Sequence, residues 1–401
     1  MSLPTTMKAV VIDGDKPVIR EVPLPKLEDG CFLVKTKAIA GNPTDWKHIA
    51  FKIGPQGSII GCDVAGDIVK LGPNVDTNSF KVGDKVFGLA HGGSVRMPTN
   101  GGFAEYVCLD SKIVYPCPPN TTLSGDNSRP EGVLSTYEDC ATFPVSLTTA
   151  GVALSHNLGN KLEWEPKEPQ HNFPILLWGG ATAIGQPLIQ LAKKLHGYSK
   201  IVVVASRKHE AQLKAYGADE LFDYHDADVI DQIKAKYPNI QHLIDCVSNA
   251  ETIQQVYKCA SETEPATVLQ LSIYSIKDIK PEDRRDNVKV AGTLLYMAGG
   301  HEVPFGSITL PKDLGYRADT IKFVEFISPK LLAGEIHHIP VKIYHGLEGA
   351  VQITDDIKNG RNSGEKLVSV LWYQREIIRN EVSNTLPLVT KELNNSFIQI
   401  T

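Results

Sequence analysis

The sequence has no CxxC pair, no basic excess, few aromatic residues and no low-complexity tract. Each absence removes a class of function. Its seven cysteines stand far apart, at Cys31, Cys62, Cys108, Cys117, Cys140, Cys246 and Cys259. An odd number at wide spacing signals neither a zinc ribbon nor a thioredoxin-like redox pair. The formal net charge is −5, from 41 Lys and Arg against 46 Asp and Glu. A dedicated binder of nucleic acid or of an anionic membrane would show the opposite balance. Aromatic residues make up 7% of the chain, too few for a base-stacking platform. The first residues lack a basic segment followed by an apolar run, so a reducing, cytoplasmic setting is expected. Residues 173–192 are uncharged but broken by Pro174, Gly179, Gly180, Gly185 and Pro187, and residues 140–160 are uncharged but rich in Ser, Thr, His and Asn. Neither reads as a membrane span, which wants about 20 mainly apolar residues.

What remains is an ordinary globular composition over 401 residues, 42% hydrophobic and 22% charged. At about 100–200 residues per domain, two domains are expected. The first part reads as short strands, Lys8–Ile12, Phe32–Ala40, Asp67–Leu71, Lys85–Leu89, Ala104–Leu109 and Lys112–Tyr115, separated by Gly, Pro, Asn and Asp turns. That pattern predicts a barrel or sandwich. Further on, strand and helix signals alternate. Pro174–Trp178, Ile201–Ala205, Leu221–Asp223, His242–Cys246 and Thr267–Leu271 read as strands. Helical patterns lie between them at Ile184–Leu195, Lys208–Tyr216, Val229–Tyr237 and Glu251–Cys259. Such alternation predicts an α/β fold, a doubly wound parallel sheet covered on both faces. Arg317–Leu332 and Leu347–Lys358 read as helices, Val341–Tyr344 and Lys366–Trp372 as strands.

The main chemical signal is the turn Gly179-Gly180-Ala181-Thr182-Ala183-Ile184-Gly185 between a buried strand and a helix. There, backbone N–H groups and the positive end of the helix face a diphosphate. Gly180 and Gly185 take the first and third glycine places of GxGxxG, and Thr182 takes the second. A P-loop is excluded, because Gln186 and Pro187 follow where Lys and Ser or Thr would stand. At the end of the second strand, Ser206-Arg207-Lys208 offers a hydroxyl and two cations but no carboxylate. That suits a 2′-phosphate, so NADPH is expected ahead of NADH; the simpler expectation has Arg207 and Lys208 as solvated residues opening the next helix. Tyr224, after the third strand, is a candidate to stack on the adenine or simply to cap the sheet. Val247 and Leu271 complete the expected cofactor-binding set.

Several short motifs then stand in one order: Asn42-Pro43-Thr44-Asp45-Trp46-Lys47, Gly61-Cys62-Asp63-Val64-Ala65-Gly66, Val82-Gly83-Asp84-Lys85-Val86-Phe87-Gly88 and Gly101-Gly102-Phe103-Ala104-Glu105-Tyr106. The glycine-rich turn, Ser206-Arg207-Lys208 and Gly364-Glu365-Lys366-Leu367-Val368 follow. Over about residues 7–372 this set resembles the medium-chain dehydrogenase/reductase superfamily, in its zinc-free quinone-reductase and enoyl-reductase branch. It most resembles yeast and fungal proteins related to trans-acting enoyl reductases. The resemblance implies a GroES-like β-barrel catalytic domain, residues 1–142 and 305–373, beside a Rossmann domain, residues 143–304, with the active site between them. Residues 374–401 are a tail with no assigned role. Zinc-dependent relatives carry Cys where Asn42 stands and His-Glu where Cys62-Asp63 stands, so no metal is expected.

By the same resemblance, Lys47 stands where fungal enoyl reductases carry a substrate-contacting lysine, with an exposed helix lysine as the simpler expectation, and Thr148 where a threonine touches the nicotinamide or its phosphate. Asn42 is a candidate amide donor, while Asp45 reads as a helix cap and Cys62 as a small packed residue. His48 and His91 are candidate acids by pKa, with exposed surface positions as the simpler expectation. The expected activity is NADPH-dependent hydride transfer to an activated C=C or C=O of an enone, quinone, aldehyde or enoyl thioester. Two alternatives stand beside it: an NADH-dependent alcohol or aldehyde dehydrogenase, and a non-catalytic cofactor-binding protein. The expected partner is a small electrophile, with no nucleic acid or membrane, and the chain is expected as a monomer or homodimer.

Overall fold

A computed structural model describes residues 3–371, so the tail from residue 374 and the end of the strand expected at Trp372 lie outside the described residues. The chain opens with an antiparallel hairpin, β1 (Thr6–Asp13) and β2 (Lys16–Pro23). The strands β3 (Cys31–Ala40), β4 (Asp63–Leu71), β5 (Lys85–Leu89), β6 (Tyr106–Asp110), β7 (Val114–Pro116) and β8 (Ser128–Arg129) follow. They are joined from the far end of the chain by β17 (Val341–His345) and β18 (Lys366–Val370). The order is β7-β5-β4-β3-β18-β17-β8, with β6 also on β3. Register shifts in the β3–β4 pair at Leu33/Val34 and Thr36/Ala38 bend this sheet. Between β3 and β4 stands helix α1 (Pro43–Ala50). Its start is fixed by Asn42 as N-cap, Pro43 in the first turn and the Asp45 carboxylate, which accepts the Asn42 N–H at 2.7 Å.

Helices α2 (Tyr137–Ala141) and α3 (Pro144–Val152) carry the chain into the second sheet. That sheet holds β9 (Ile175–Trp178), β10 (Ile201–Val204), β11 (Glu220–Phe222), β12 (His242–Asp245), β13 (Ala266–Gln270) and β14 (Val288–Gly292). All its pairings are parallel and the order is β11-β10-β9-β12-β13-β14. This is the doubly wound 3-2-1-4-5-6 arrangement, whose crevice opens where the order reverses, between β9 and β12. The crossover helices are α4 (Gly185–Lys194), α5 (Glu210–Tyr216), α6 (Val229–Lys236) and α7 (Thr252–Cys259). β9 and β10 are fully buried apolar runs, as central parallel strands are.

A small hairpin, β15 (Val303–Phe305) and β16 (Ile308–Leu310), precedes the long helix α8 (Leu314–Leu332); α9 (Gly346–Lys358) lies between β17 and β18. Helices α3 and α8 approach closely because Gly151 has no side chain: a Cβ there would meet the Phe323 ring at 2.2 Å. Among the described residues, no helix is long and apolar enough to cross a membrane. The two uncharged stretches are β9 with its turn and most of α4, and the run from α2 through α3.

Candidate active site

A cleft of about 710 Å³ lies between the barrel and the doubly wound sheet. One wall is helix α1, which turns Thr44, Lys47 and, just past its end, Phe51 to the cleft. That spacing of three and then four residues is one helical face. Asp45, His48 and Ile49 occupy the buried face. Burial lowers the pKa of Lys47, and its ammonium has no acidic partner within ion-pair distance among the described residues. The opposite wall is the turn after β9 together with the loops after β12 and β13.

Within the glycine-rich turn the structure divides the work among the glycines. Gly179, not Gly180, adopts the left-handed conformation, φ 84°. Gly180 lies against Val203, where a Cβ would come within 2.1 Å of the Val203 side chain. A Cβ on Gly185 would sit 2.5 Å from the Gly179 carbonyl oxygen, so this glycine lets α4 start directly under the turn. The Thr182 hydroxyl is taken up inside the turn: it donates to Gly179 O at 2.8 Å and accepts Gly185 N–H at 3.0 Å, and the residue lines the cleft. The Ala183 and Ile184 N–H groups, just before the helix N-terminus, have no acceptor among the described residues, and both residues line the cleft.

The loop after β12 is held by Asp245, whose carboxylate accepts Val247 N–H at 3.0 Å, Ser248 N–H at 2.8 Å and the Thr252 hydroxyl at 2.7 Å. Ser248 is left-handed at φ 55°, and its hydroxyl accepts Leu271 N–H at 2.7 Å. Val247 and Leu271 are thereby fixed together on the cleft wall. Ser206, Arg207, Lys208 and Tyr224 flank the turn at the ends of β10 and β11 and do not line this cleft. Lys208 and Tyr224 are exposed. Arg207 is already engaged: its N–H donates to Asp223 at 3.0 Å and its guanidinium pairs with Asp226 at 3.1 Å.

Three expectations need correction. Thr148 is fully buried away from the cleft, its hydroxyl bonded to Tyr115 OH at 2.7 Å and to the Pro144 carbonyl. The helix phase of α3 turns the next residue, Thr149, to the cleft instead. The Asn42 amide lines the cleft but is spent on a buried network. It donates to Asp63 Oδ2 at 2.8 Å and accepts from Lys366 Nζ at 2.7 Å. His48 and His91 are not surface residues; they pack edge to face at 5.7 Å, and His91 stacks on Tyr296 at 3.8 Å. Burial lowers both pKa values, that of His91 to about 3. Tyr296 and Thr44 escaped the sequence reading: both line the cleft and share a hydroxyl–hydroxyl bond across 252 positions.

This constellation, a barrel and a dinucleotide-type crevice sharing one cleft with a partly buried lysine, defines an oxidoreductase of the two-domain dehydrogenase type. Comparison with known proteins agrees. The family description "Alcohol dehydrogenase GroES-like domain" matches residues 28–119 and "Zinc-binding dehydrogenase" matches residues 183–304. The uncharacterized protein YNL134C of Saccharomyces cerevisiae is 61% identical over 372 residues, 92% of this chain and 99% of that protein. Trans-enoyl reductase TOXD of Cochliobolus carbonum is 33% identical over 298 residues, 74% of this chain and 91% of its own length. The quinone oxidoreductase structure from Coxiella burnetii superposes with a TM-score of 0.62 at 22% identity, over 92% of this chain and 100% of that one. The chain belongs to the medium-chain dehydrogenase/reductase superfamily, a family of nicotinamide-dependent oxidoreductases.

The zinc in one family name does not suit the donors present. Asp63 Oδ2 is held by Asn42 and by Lys366 Nζ at 2.8 Å, and Oδ1 accepts Val145 N–H at 2.7 Å. A lysine ammonium thus fills the cationic place beside this carboxylate. Burial pushes the Cys62 thiol well up, and the thiol lies 3.9 Å from the Tyr296 hydroxyl. Among the described residues, no three His, Cys, Asp or Glu side chains group to hold a metal. The nicotinamide cofactor, by contrast, suits the crevice, where the free Ala183 and Ile184 amides await an anion.

Proposed function

We propose that the chain is an NADPH-dependent reductase, working without zinc, that delivers hydride to an activated C=C or C=O. Its substrates are then enones, quinones, aldehydes or enoyl thioesters. One observation carries the reading: a single cleft runs from the free Ala183 and Ile184 amides to the partly buried Lys47, whose ammonium lies 6.0 Å from the Trp46 ring and has no acidic partner among the described residues. The trans-enoyl reductase among the relatives supports the C=C option. When bound, the reduced nicotinamide supplies the hydride. Lys47 stabilises the negative charge that gathers on the substrate oxygen, an effect strengthened where water is excluded. Thr149 donates its own hydroxyl hydrogen to Val145 O at 2.6 Å, so toward the cleft it offers lone pairs to an amide N–H of the cofactor. Val247, Leu271 and Ile184 supply the apolar wall for the ring.

The NADPH preference rests on Ser206 and Lys208, with Arg207 released from Asp226 when a 2′-phosphate arrives. A second reading, NADH, is favoured by that same Arg207–Asp226 pair. The small electrophile is the only partner required, and the chain acts as a monomer or homodimer in the cytoplasm. A cofactor-resolved turnover screen over enones, quinones and aldehydes tests the proposal. NADPH oxidation by the wild type, falling at least about tenfold in Lys47→Met with cofactor affinity retained, is the expected result. Bound cofactor without turnover on the whole panel would favour the non-catalytic alternative. Arg207→Ala with Lys208→Ala should weaken NADPH binding and spare NADH; equal loss of both refutes the 2′-phosphate assignment.

A further inference from the structure

We infer that the electrophile carries a long apolar chain, seated at the cleft mouth by Phe51, Ile273 and Ile308. The inference rests on the reductase reading and narrows its substrate class. Among the described residues, Phe51 is 63% exposed, Ile273 59% and Ile308 43%, and all three line the cleft. Single exposed apolar residues are ordinary on a surface, but three on the lining of one cleft mark a binding site. They come from three separate elements. Phe51 ends α1, Ile273 lies in the loop after β13, and Ile308 opens β16.

The hairpin of β15 and β16 is placed to hold a chain. Its Phe305 ring is anchored 5.6 Å from the His48 ring and 6.0 Å from the Tyr296 ring. At its tip, a Cβ on Gly306 would lie 3.7 Å from the Ile53 side chain, so the tip closes against the barrel beside Phe51. Ile308 follows the tip directly and faces the cleft. Lys47 and Phe51 are four residues apart, about 6 Å along α1 at 1.5 Å per residue. An electrophile held at Lys47 and an apolar chain on Phe51 thus lie along one wall of the cleft, about one helical turn apart. A small quinone or butenal would leave the apolar mouth in water, whereas a longer aliphatic chain covers it.

The test is a length series of trans-2-alkenals from butenal to dodecenal, read as kcat/KM with NADPH. It is paired with dissociation constants for the saturated primary amides of the same lengths, measured on the cofactor-loaded protein. The expected result is a rise of up to about fourfold per added methylene once the chain passes Phe51, in both turnover and amide binding. Phe51→Ser combined with Ile308→Ser alters only well-exposed side chains, and it should shrink the dodecenal-to-butenal ratio at least about tenfold. Turnover that is flat with length, with amide binding equally flat, overturns the inference and leaves the reductase reading standing. Amide binding that tightens with length in a protein that turns nothing over keeps the apolar seat and removes the reductase reading. A mouth that is instead an interface between copies of this chain would give the flat series together with a loss of dimer in Phe51→Ser, which also overturns it.

Discussion

Replacing Asp45 by asparagine should stabilise the protein at neutral and alkaline pH and do little in acid. Asp45 is 2% exposed; its Oδ2 accepts the Asn42 N–H, and its Oδ1 has no partner among the described residues. Burial, helped by the charge of Asp63 and opposed by the Asn42 N–H and Lys366, raises its pKa to about 7. In the unfolded chain the same carboxyl titrates near about 3.9. The folded state thus holds the proton more tightly. Its stabilising contribution is complete below about pH 4 and is lost as the pH rises to about 7. A gap from about 3.9 to about 7 corresponds to about 4 kcal/mol. Asparagine keeps the shape and the acceptor for Asn42 N–H without the charge. Urea unfolding of both proteins across about pH 4 to 8 isolates this group as the difference in free energy between them. That difference should be near zero at about pH 4, climb through about pH 5 to 7, and level off near 4 kcal/mol in favour of the variant. A difference that is flat, or that shrinks as the pH rises, would show that the carboxyl is stabilised as an anion and refute the reasoning.

His91 should show the opposite slope. Burial first, then the neighbouring His48 and His301, lower its pKa to about 3, so its contribution is complete above about pH 6.5 and lost as the pH falls toward 3; His91→Phe, which keeps the ring stack on Tyr296, should move the acid-unfolding midpoint to lower pH. Lys366→Met strands the buried Asp63 carboxylate and should cost about 3–5 kcal/mol in urea unfolding, with Asp63→Asn added to it recovering most of the loss. A cost below about 1 kcal/mol would mean that the pair is not buried as described. Gly185→Ala drives a Cβ to 2.5 Å from the Gly179 carbonyl and should weaken NADPH binding at least about tenfold, read by cofactor fluorescence, with about 1–3 kcal/mol of destabilisation.

The parallel sheet was legible where its strands are central. Ile201–Val204 and Ile175–Trp178 are unbroken apolar runs because both of their faces are covered. Its sixth strand was not legible. Val288–Gly292 lies at the sheet edge, partly exposed and carrying Lys289, and nothing in such a segment distinguishes it from a loop. The same holds for Lys16–Pro23, an exposed strand with proline at two positions. Lys47 lines the cleft because one short helix carries it there. The Thr148 expectation failed because adjacent residues on a helix point about 100° apart, and the packing of Gly151 on Phe323 and of Tyr115 on Thr148 sets that phase. The buried network around Asp63 brings in Lys366 from the far end of the chain, and the histidine cluster is closed by Tyr296. Local pattern carries no trace of either long-range partner.

The reductase reading requires a dinucleotide phosphate to meet the Ala183 and Ile184 amides at the start of α4. Amide hydrogen exchange resolved to single residues, with and without NADPH, reads this contact directly. Binding should slow exchange at these two positions more than elsewhere in residues 179–186. Unchanged exchange there, in samples whose cofactor fluorescence proves NADPH bound, would contradict it.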